Sequence, residues 1–121
     1  MIDAARAFSG FSTDDVEATR TFYADVLGLP VDEDHGMLRL RFPDGHTVLV
    51  YPKEAHTPAS FTILNFPVAD LESTVDDLVR RGVTFIRYDG VDDRGIMRGR
   101  GPDIAWFTDP GGNIVAVIGD P

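Results

Sequence analysis

Residues 101–119 read GPDIAWFTDPGGNIVAVIG. An alternating run at 104–107 enters the turn Thr108-Asp109-Pro110-Gly111-Gly112 and leaves as a continuous apolar run at 114–118. A five-residue loop rich in Pro and Gly between two such runs predicts a β-hairpin. A weaker copy lies upstream: Phe42-Pro43-Asp44-Gly45-His46 precedes Asp109-Pro110-Gly111-Gly112-Asn113 by 67 residues (45 against 112). It too stands between an alternating run, MLRLRF at 37–42, and an apolar one at 47–51.

A second echo lies further out from the hairpin. Asp15-Val16-Glu17-Ala18-Thr19 matches Asp70-Leu71-Glu72-Ser73-Thr74 at a spacing of 55 (15 against 70), with Phe11 and Phe66 ahead of each. Residues 14–27 predict a helix, with Asp14 as N-cap, Glu17 completing a capping box, and Gly28 as the residue that ends it. Val16, Thr19, Tyr23 and Leu27 give it one packing face. Residues 70–81 predict a second helix packing Leu71, Val75, Leu78 and Val79, terminated by Gly82. Further strands are expected at 8–13, 29–31, 61–68 and 83–87, with a polar turn at 32–36. The stretch PKEAHTPAS at 52–60 has two prolines and no periodicity, so it reads as a linker.

The order is βαβββ twice, an α+β fold. The whole chain, 1–121, forms one domain of two modules, about 6–52 and 61–119, joined by 53–60. The excess of twelve residues in the second spacing falls mostly in the Gly- and Arg-rich loop at 88–101, a length that often marks function. Three glycines there invite a phosphate-loop reading, but no Lys-Ser/Thr follows and no helix begins. The loop suits a mobile flap, with Met97 as an adaptable apolar contact and Arg98 or Arg100 as an anchor for an anion or a carbonyl.

Composition narrows the function classes. Eleven basic against twenty acidic residues give −9, which repels nucleic acid and anionic membrane surfaces and favours cationic partners. The absence of cysteine excludes disulfides, thiolate nucleophiles and cysteine metal sites. No apolar run reaches the roughly 20 residues of a membrane span, and the first residues lack a secretory signal pattern, so a cytoplasmic address is expected. His35, His46 and His56 stand in turns or the linker at no metal-binding spacing, and are expected to be solvated. Asp14-Asp15 and Asp76-Asp77 belong to helix caps and faces, and Asp92-Asp93 to a surface turn.

The phrase Asp15-Val16 to Phe22-Tyr23 to Leu27-Gly28-Leu29, closed by Phe107-Thr108-Asp109-Pro110-Gly111-Gly112-Asn113, resembles the vicinal oxygen chelate superfamily of glyoxalases, bleomycin-resistance proteins and extradiol dioxygenases. The resemblance implies paired βαβββ modules forming a curved mixed sheet around a cavity, with the helices outside, and a homodimer. It also implies metal ligands near the start of each module's first strand and in its last strand. Here those positions hold Phe8, Ile63, Leu49 and Ala116. None offers an imidazole, carboxylate or thiolate donor, so neither a metal nor another cofactor is expected.

Strand alternation within that family geometry would put Phe8, Gly10, Leu49, Tyr51, Ile63, Asn65, Ile114 and Ala116 on the cavity wall. Tyr51 and Asn65 would be its polar handles, and the small Gly10 and Ala116 would leave room for a ligand. Trp106 admits two roles, packing or cavity lining. The first expectation is therefore a metal-independent small-molecule-binding protein, its ligand a cationic or aromatic drug or metabolite. The alternatives are a lyase, isomerase or dioxygenase-like enzyme with an atypical or metal-free site, and an interaction module whose core fills the space.

Overall fold

An aspartate starts each helix. In the computed structural model, which describes residues 1–120, Asp15 Oδ1 accepts the Ala18 N–H at 3.0 Å and Asp70 Oδ1 accepts the Ser73 N–H at 3.1 Å. Four residues after each cap, Thr19 Oγ1 donates to the Asp15 carbonyl (2.7 Å) and Thr74 Oγ1 to that of Asp70 (2.8 Å). The repeated Asp-x-x-x-Thr is thus a pair of equivalent caps that satisfy donors the first helical turn leaves open. Asp14 is not the cap. The N–H that a cap must reach belongs to Ala18, three residues beyond Asp15, so Glu17 misses the capping-box position.

The chain divides into Met1–Thr57 and a second unit from Pro58 onward. The first contains β1 (Ser9–Thr13), α1 (Val16–Thr21), β2 (Val31–Asp34), β3 (Met37–Arg41) and β4 (Thr47–Pro52). α1 runs on as a wider π-helical turn, Phe22–Val26, and ends where Gly28 takes φ +76°. The strand expected at 29–31 forms later, because only His35 and Gly36, both at positive φ, are needed for its turn onto β3. Sheet order is β1-β4-β3-β2, with β1 parallel to β4 and the other pairs antiparallel. Phe11, Tyr23, Leu38, Leu40, Val48 and Val50 form the buried core. Thr13 and Thr19 are buried among them and bond each other at 3.0 Å.

The second unit contains β5 (Thr62–Val68), α2 (Leu71–Arg80), β6 (Ile96–Met97), β7 (Ile104–Thr108) and β8 (Ile114–Gly119), ordered β5-β8-β7-β6. β5 and β8 are parallel, as β1 and β4 are. Leu71, Val75 and Leu78 of α2 are buried with Phe85, Ile96, Phe107, Val115 and Val117. Val79, expected on that face, is 53% exposed because it sits about 100° around the helix from Leu78.

The strand expected at 83–87 is replaced by a divided edge. Phe85 bridges Phe107 and Ile86 N–H donates to the Trp106 carbonyl at 2.8 Å. Beyond that point β6 takes over the edge, Ile96 opposite Ala105 and Met97 opposite Ile104. Residues 87–95 make an excursion between these two segments, in which Val91 bridges Met97 and Asp92 N–H donates to the Ile96 carbonyl at 2.8 Å. Gly95 closes the neck of this excursion: at φ +86°, a Cβ there would lie 2.9 Å from Phe85 Cβ.

The two Pro-Gly turns share their backbone bonding. Phe42 N–H donates to His46 O (3.0 Å) and Gly45 N–H to Phe42 O (2.9 Å), while Asp109 N–H donates to Asn113 O and Gly112 N–H to Asp109 O, both at 2.9 Å. The second turn is also buried. Asp109 Oδ1 accepts the Asn113 N–H (2.9 Å), and Asn113 Oδ1 accepts the Ala59 N–H (3.0 Å). A Cβ on Gly112 would meet the Pro58 ring at 3.0 Å, whereas one on Gly45 would meet nothing. Gly45→Ala should therefore cost about 1 kcal/mol of left-handed strain. Gly112→Ala should cost about 2–4 kcal/mol, since Pro58 must move as well. Urea unfolding of the two variants checks this, and equal costs would show that the Pro58 contact contributes nothing.

Candidate functional site

Because side chains alternate along a strand, covering one sheet face with a helix leaves the other face open. In the first unit the open face carries Gly10, Ser12, Arg39, Leu49 and Tyr51. The register sets Gly10 beside Leu49, Leu49 beside Arg39, and Ser12 beside Tyr51. Phe8, just before β1, is 53% exposed with the Arg39 guanidinium 5.4 Å above its ring. Phe8, Gly10, Leu49 and Tyr51 therefore share one surface. A Cβ on Gly10 would come within 3.2 Å of the Leu49 carbonyl, so the backbone is bare at its centre.

His56 also belongs to this surface, against expectation. It is half-buried, and its Nδ1 lies 2.7 Å from Ser12 Oγ. The two residues are 44 apart in sequence. No local spacing signals such a pair; it arises because Lys53 N–H bonds the Thr13 carbonyl and draws the segment after β4 back along β1.

In the second unit the register forms one row, Asn65 beside Ala116 beside Trp106. Asn65 is exposed, Trp106 half-buried and Ala116 fully buried. Ile63 lies at a break in register between Thr62 and Leu64, outside the ladder. Tyr88, supplied by the 87–95 excursion, packs edge-on against Trp106 with ring centres 5.2 Å apart at 84°. Loop composition alone gave no sign of it.

The loop expected to be a mobile flap is tied to α2. Arg98 donates to Glu72 Oε1 (2.6 Å), Asp92 Oδ2 (3.0 Å) and Asp103 Oδ2 (3.2 Å), and Arg94 bonds Asp76 Oδ2 (2.8 Å). Arg98 thus meets three carboxylates of its own chain where an anion or carbonyl anchor was expected. The bond to Asp92, then that to Glu72, holds its guanidinium pKa above the ordinary value. Met97 lies within reach of Gly90, across the neck of the same loop. Burial would push the Asp92 carboxyl pKa up, but N–H bonds from Ile96 (2.9 Å) and Arg94 (2.8 Å), with Arg98, outweigh it and hold it below the usual value.

A divalent metal does not fit the expected positions. Phe8, Leu49, Ile63 and Ala116 carry no donor atoms, and the polar groups on the open faces, Ser12, His56, Tyr51 and Asn65, contribute a single imidazole. Among the described residues no three His, Asp or Glu side chains converge as a metal-binding group. The donor chemistry is that of hydrogen bonding and apolar contact.

Two tandem βαβββ units, each a helix on a four-stranded mixed sheet, define the class of protein. The family model of the Glyoxalase/Bleomycin resistance protein/Dioxygenase superfamily matches residues 7–117, and the chain belongs to that superfamily. It is similar in fold to a glyoxalase/dioxygenase from Nostoc punctiforme (TM-score 0.70, 15% identity, 100% of this chain and 97% of that one). It is likewise similar to a glyoxalase family protein from Enterococcus faecalis (0.69, 19%, 92% and 94%) and to fosfomycin resistance protein FosX from Mesorhizobium loti (0.69, 14%, 100% and 95%). At these identities the likeness shows the fold alone. No curated protein matches the chain. No described helix is long and apolar enough to cross a membrane.

Because the Asp92 pKa is lowered on folding, its stabilisation is complete above the unfolded carboxylate value near 3.8 and is lost as pH falls through the depressed folded value. Asp92→Asn should cost about 1 kcal/mol at pH 7, and the gap from the unsubstituted protein should be narrower at pH 3, below the ordinary carboxylate value. Urea midpoints at the two pH values check this; a gap that stays constant would show that the charge on Asp92 does not hold the loop.

Proposed function

We propose that this chain is a metal-independent small-molecule-binding protein of the glyoxalase/bleomycin-resistance type. It sequesters a cationic or aromatic compound, a drug or a metabolite, on the open sheet faces, and it acts as a homodimer. The carrying observation is that all four positions at which relatives would present metal ligands, Phe8, Leu49, Ile63 and Ala116, hold side chains without donors. The net charge of −9 favours a cationic ligand, and Trp106 with Tyr88 offers aromatic contact. Antibiotic resistance in the name of a protein of the same fold makes a drug a reasonable first probe.

Thermal melting with bleomycin, fosfomycin and a panel of aromatic amines tests the proposal. A cationic or aromatic member at ten times its Kd should raise Tm by roughly 5 °C, with or without EDTA. No shift from any compound, or a shift that EDTA abolishes in protein carrying stoichiometric Zn, Fe, Mn or Ni, would refute it. Sedimentation should give a species of twice 13.3 kDa, and a 13.3 kDa species at micromolar concentration would refute the dimer.

Ser12 and His56, with Tyr51 alongside, lend support to a second reading, a metal-free isomerase or lyase that uses these groups for proton transfer. EDTA-resistant turnover of methylglyoxal–glutathione hemithioacetal, lost in His56→Gln, would favour it over sequestration.

A further inference from the structure

We infer that the helix side of the second unit carries a separate binding site, a groove that takes a small amphipathic carboxylate with Arg87 as its anion contact. The groove has a volume of about 520 Å³ and lies where α2 faces residues 83–94. That is within the range of small-ligand sites, roughly 300–1,000 Å³. It stands apart from the open-face row of Asn65, Ala116 and Trp106, which lies on the other side of the sheet. Its exposed apolar wall is Val79, 53% exposed with no core role, backed by the buried Val75, Val83 and Phe85.

The charge of this groove runs against that of the chain as a whole. In a chain of net charge −9, it gathers three arginines, Arg80, Arg87 and Arg94, against two aspartates, Asp76 and Asp93. Arg94 is bound by Asp76 at 2.8 Å, and Arg80 pairs with Asp77 at 3.5 Å. Arg87 differs, because among the described residues its Nη1 donates only to backbone carbonyls, those of Asp92 (3.2 Å) and Asp93. Neutral carbonyls position the guanidinium without cancelling its charge, leaving Nε and Nη2 as the edge that receives a carboxylate. The apolar lining calls for a hydrocarbon body. One uncompensated cation beside the Asp93 carboxylate suits a monoanion and disfavours a phosphate dianion.

Calorimetric titration with octanoate, octanol and octylammonium separates these contributions. Octanoate should bind saturably at one site per chain, octanol at least tenfold more weakly, and octylammonium not measurably. Val79→Glu, an exposed substitution whose unchanged Tm would report an intact fold, should weaken octanoate at least tenfold, and Asp93→Asn should tighten it twofold or more. Absent or non-saturable octanoate binding, equal binding of octanol, or wild-type affinity in Val79→Glu would each overturn the inference. Compounds that stabilise the protein through the open faces should bind Val79→Glu unchanged, so the fate of this site and that of the proposed function can be read separately.

Discussion

Parallel pairing between the first and last strands of each unit is the constraint on which the rest depends. β1 lies beside β4, and β5 beside β8, so each chain segment must leave its first strand, cross through a helix and return through three antiparallel-linked strands. One helix, about 10 Å across, covers the middle of one face of a sheet whose four strands lie about 4.8 Å apart. It cannot cover both faces. The face opposite the helix carries no helix in either unit and collects every second residue, Gly10 and Ser12, Leu49 and Tyr51, Asn65 and Trp106, with Ala116 fully buried between the last two.

The arginines are divided by the same geometry. Arg94 and Arg98 face the acidic side of α2 and are taken up by Glu72, Asp76, Asp92 and Asp103. A guanidinium held by several carboxylates is a fastening, and its donors are occupied. Arg87, a few residues earlier, is held among the described residues by carbonyls alone, with no carboxylate paired to it. Residue type alone does not separate these roles. What separates them is which acids α2 and the neighbouring loop bring within reach.

Much of the fold was legible because its signals are local. Caps, turn glycines and alternating runs act over a few residues, so the repeat, both helices and the hairpin turns were readable, and Asp14 for Asp15 is an error of one position. The divided edge was not legible. Val83, Phe85 and Ile86 have the composition of a strand, but β7 gives them one bridge and passes the remaining edge to Ile96 and Met97, a choice made by tertiary pairing. Candidate site residues separate in the same way. Alternation puts Gly10, Leu49 and Tyr51 on one side of their sheet, but it does not foresee the register break at Ile63; His56 and Tyr88 reached their partners from irregular segments, and Arg98 was claimed by Glu72 of α2 with Asp92 and Asp103, acids not foreseen as its neighbours.

The divided edge also bears on how the molecule behaves at high concentration. A continuous outer strand presents a long row of unpaired N–H and C=O groups, a template on which a foreign strand can dock and aggregation can grow. In the second unit the outer edge at β6 is only two residues long and is already engaged, Ile96 by Asp92 and Met97 by a bridge to Val91. In the first unit the outer strand carries Asp32, Glu33 and Asp34 in succession, and their charges repel an approaching copy. The β2 and β6 edges are therefore poor templates for intermolecular strand addition, in contrast to the longer outer strands β1 and β5 at the opposite margins.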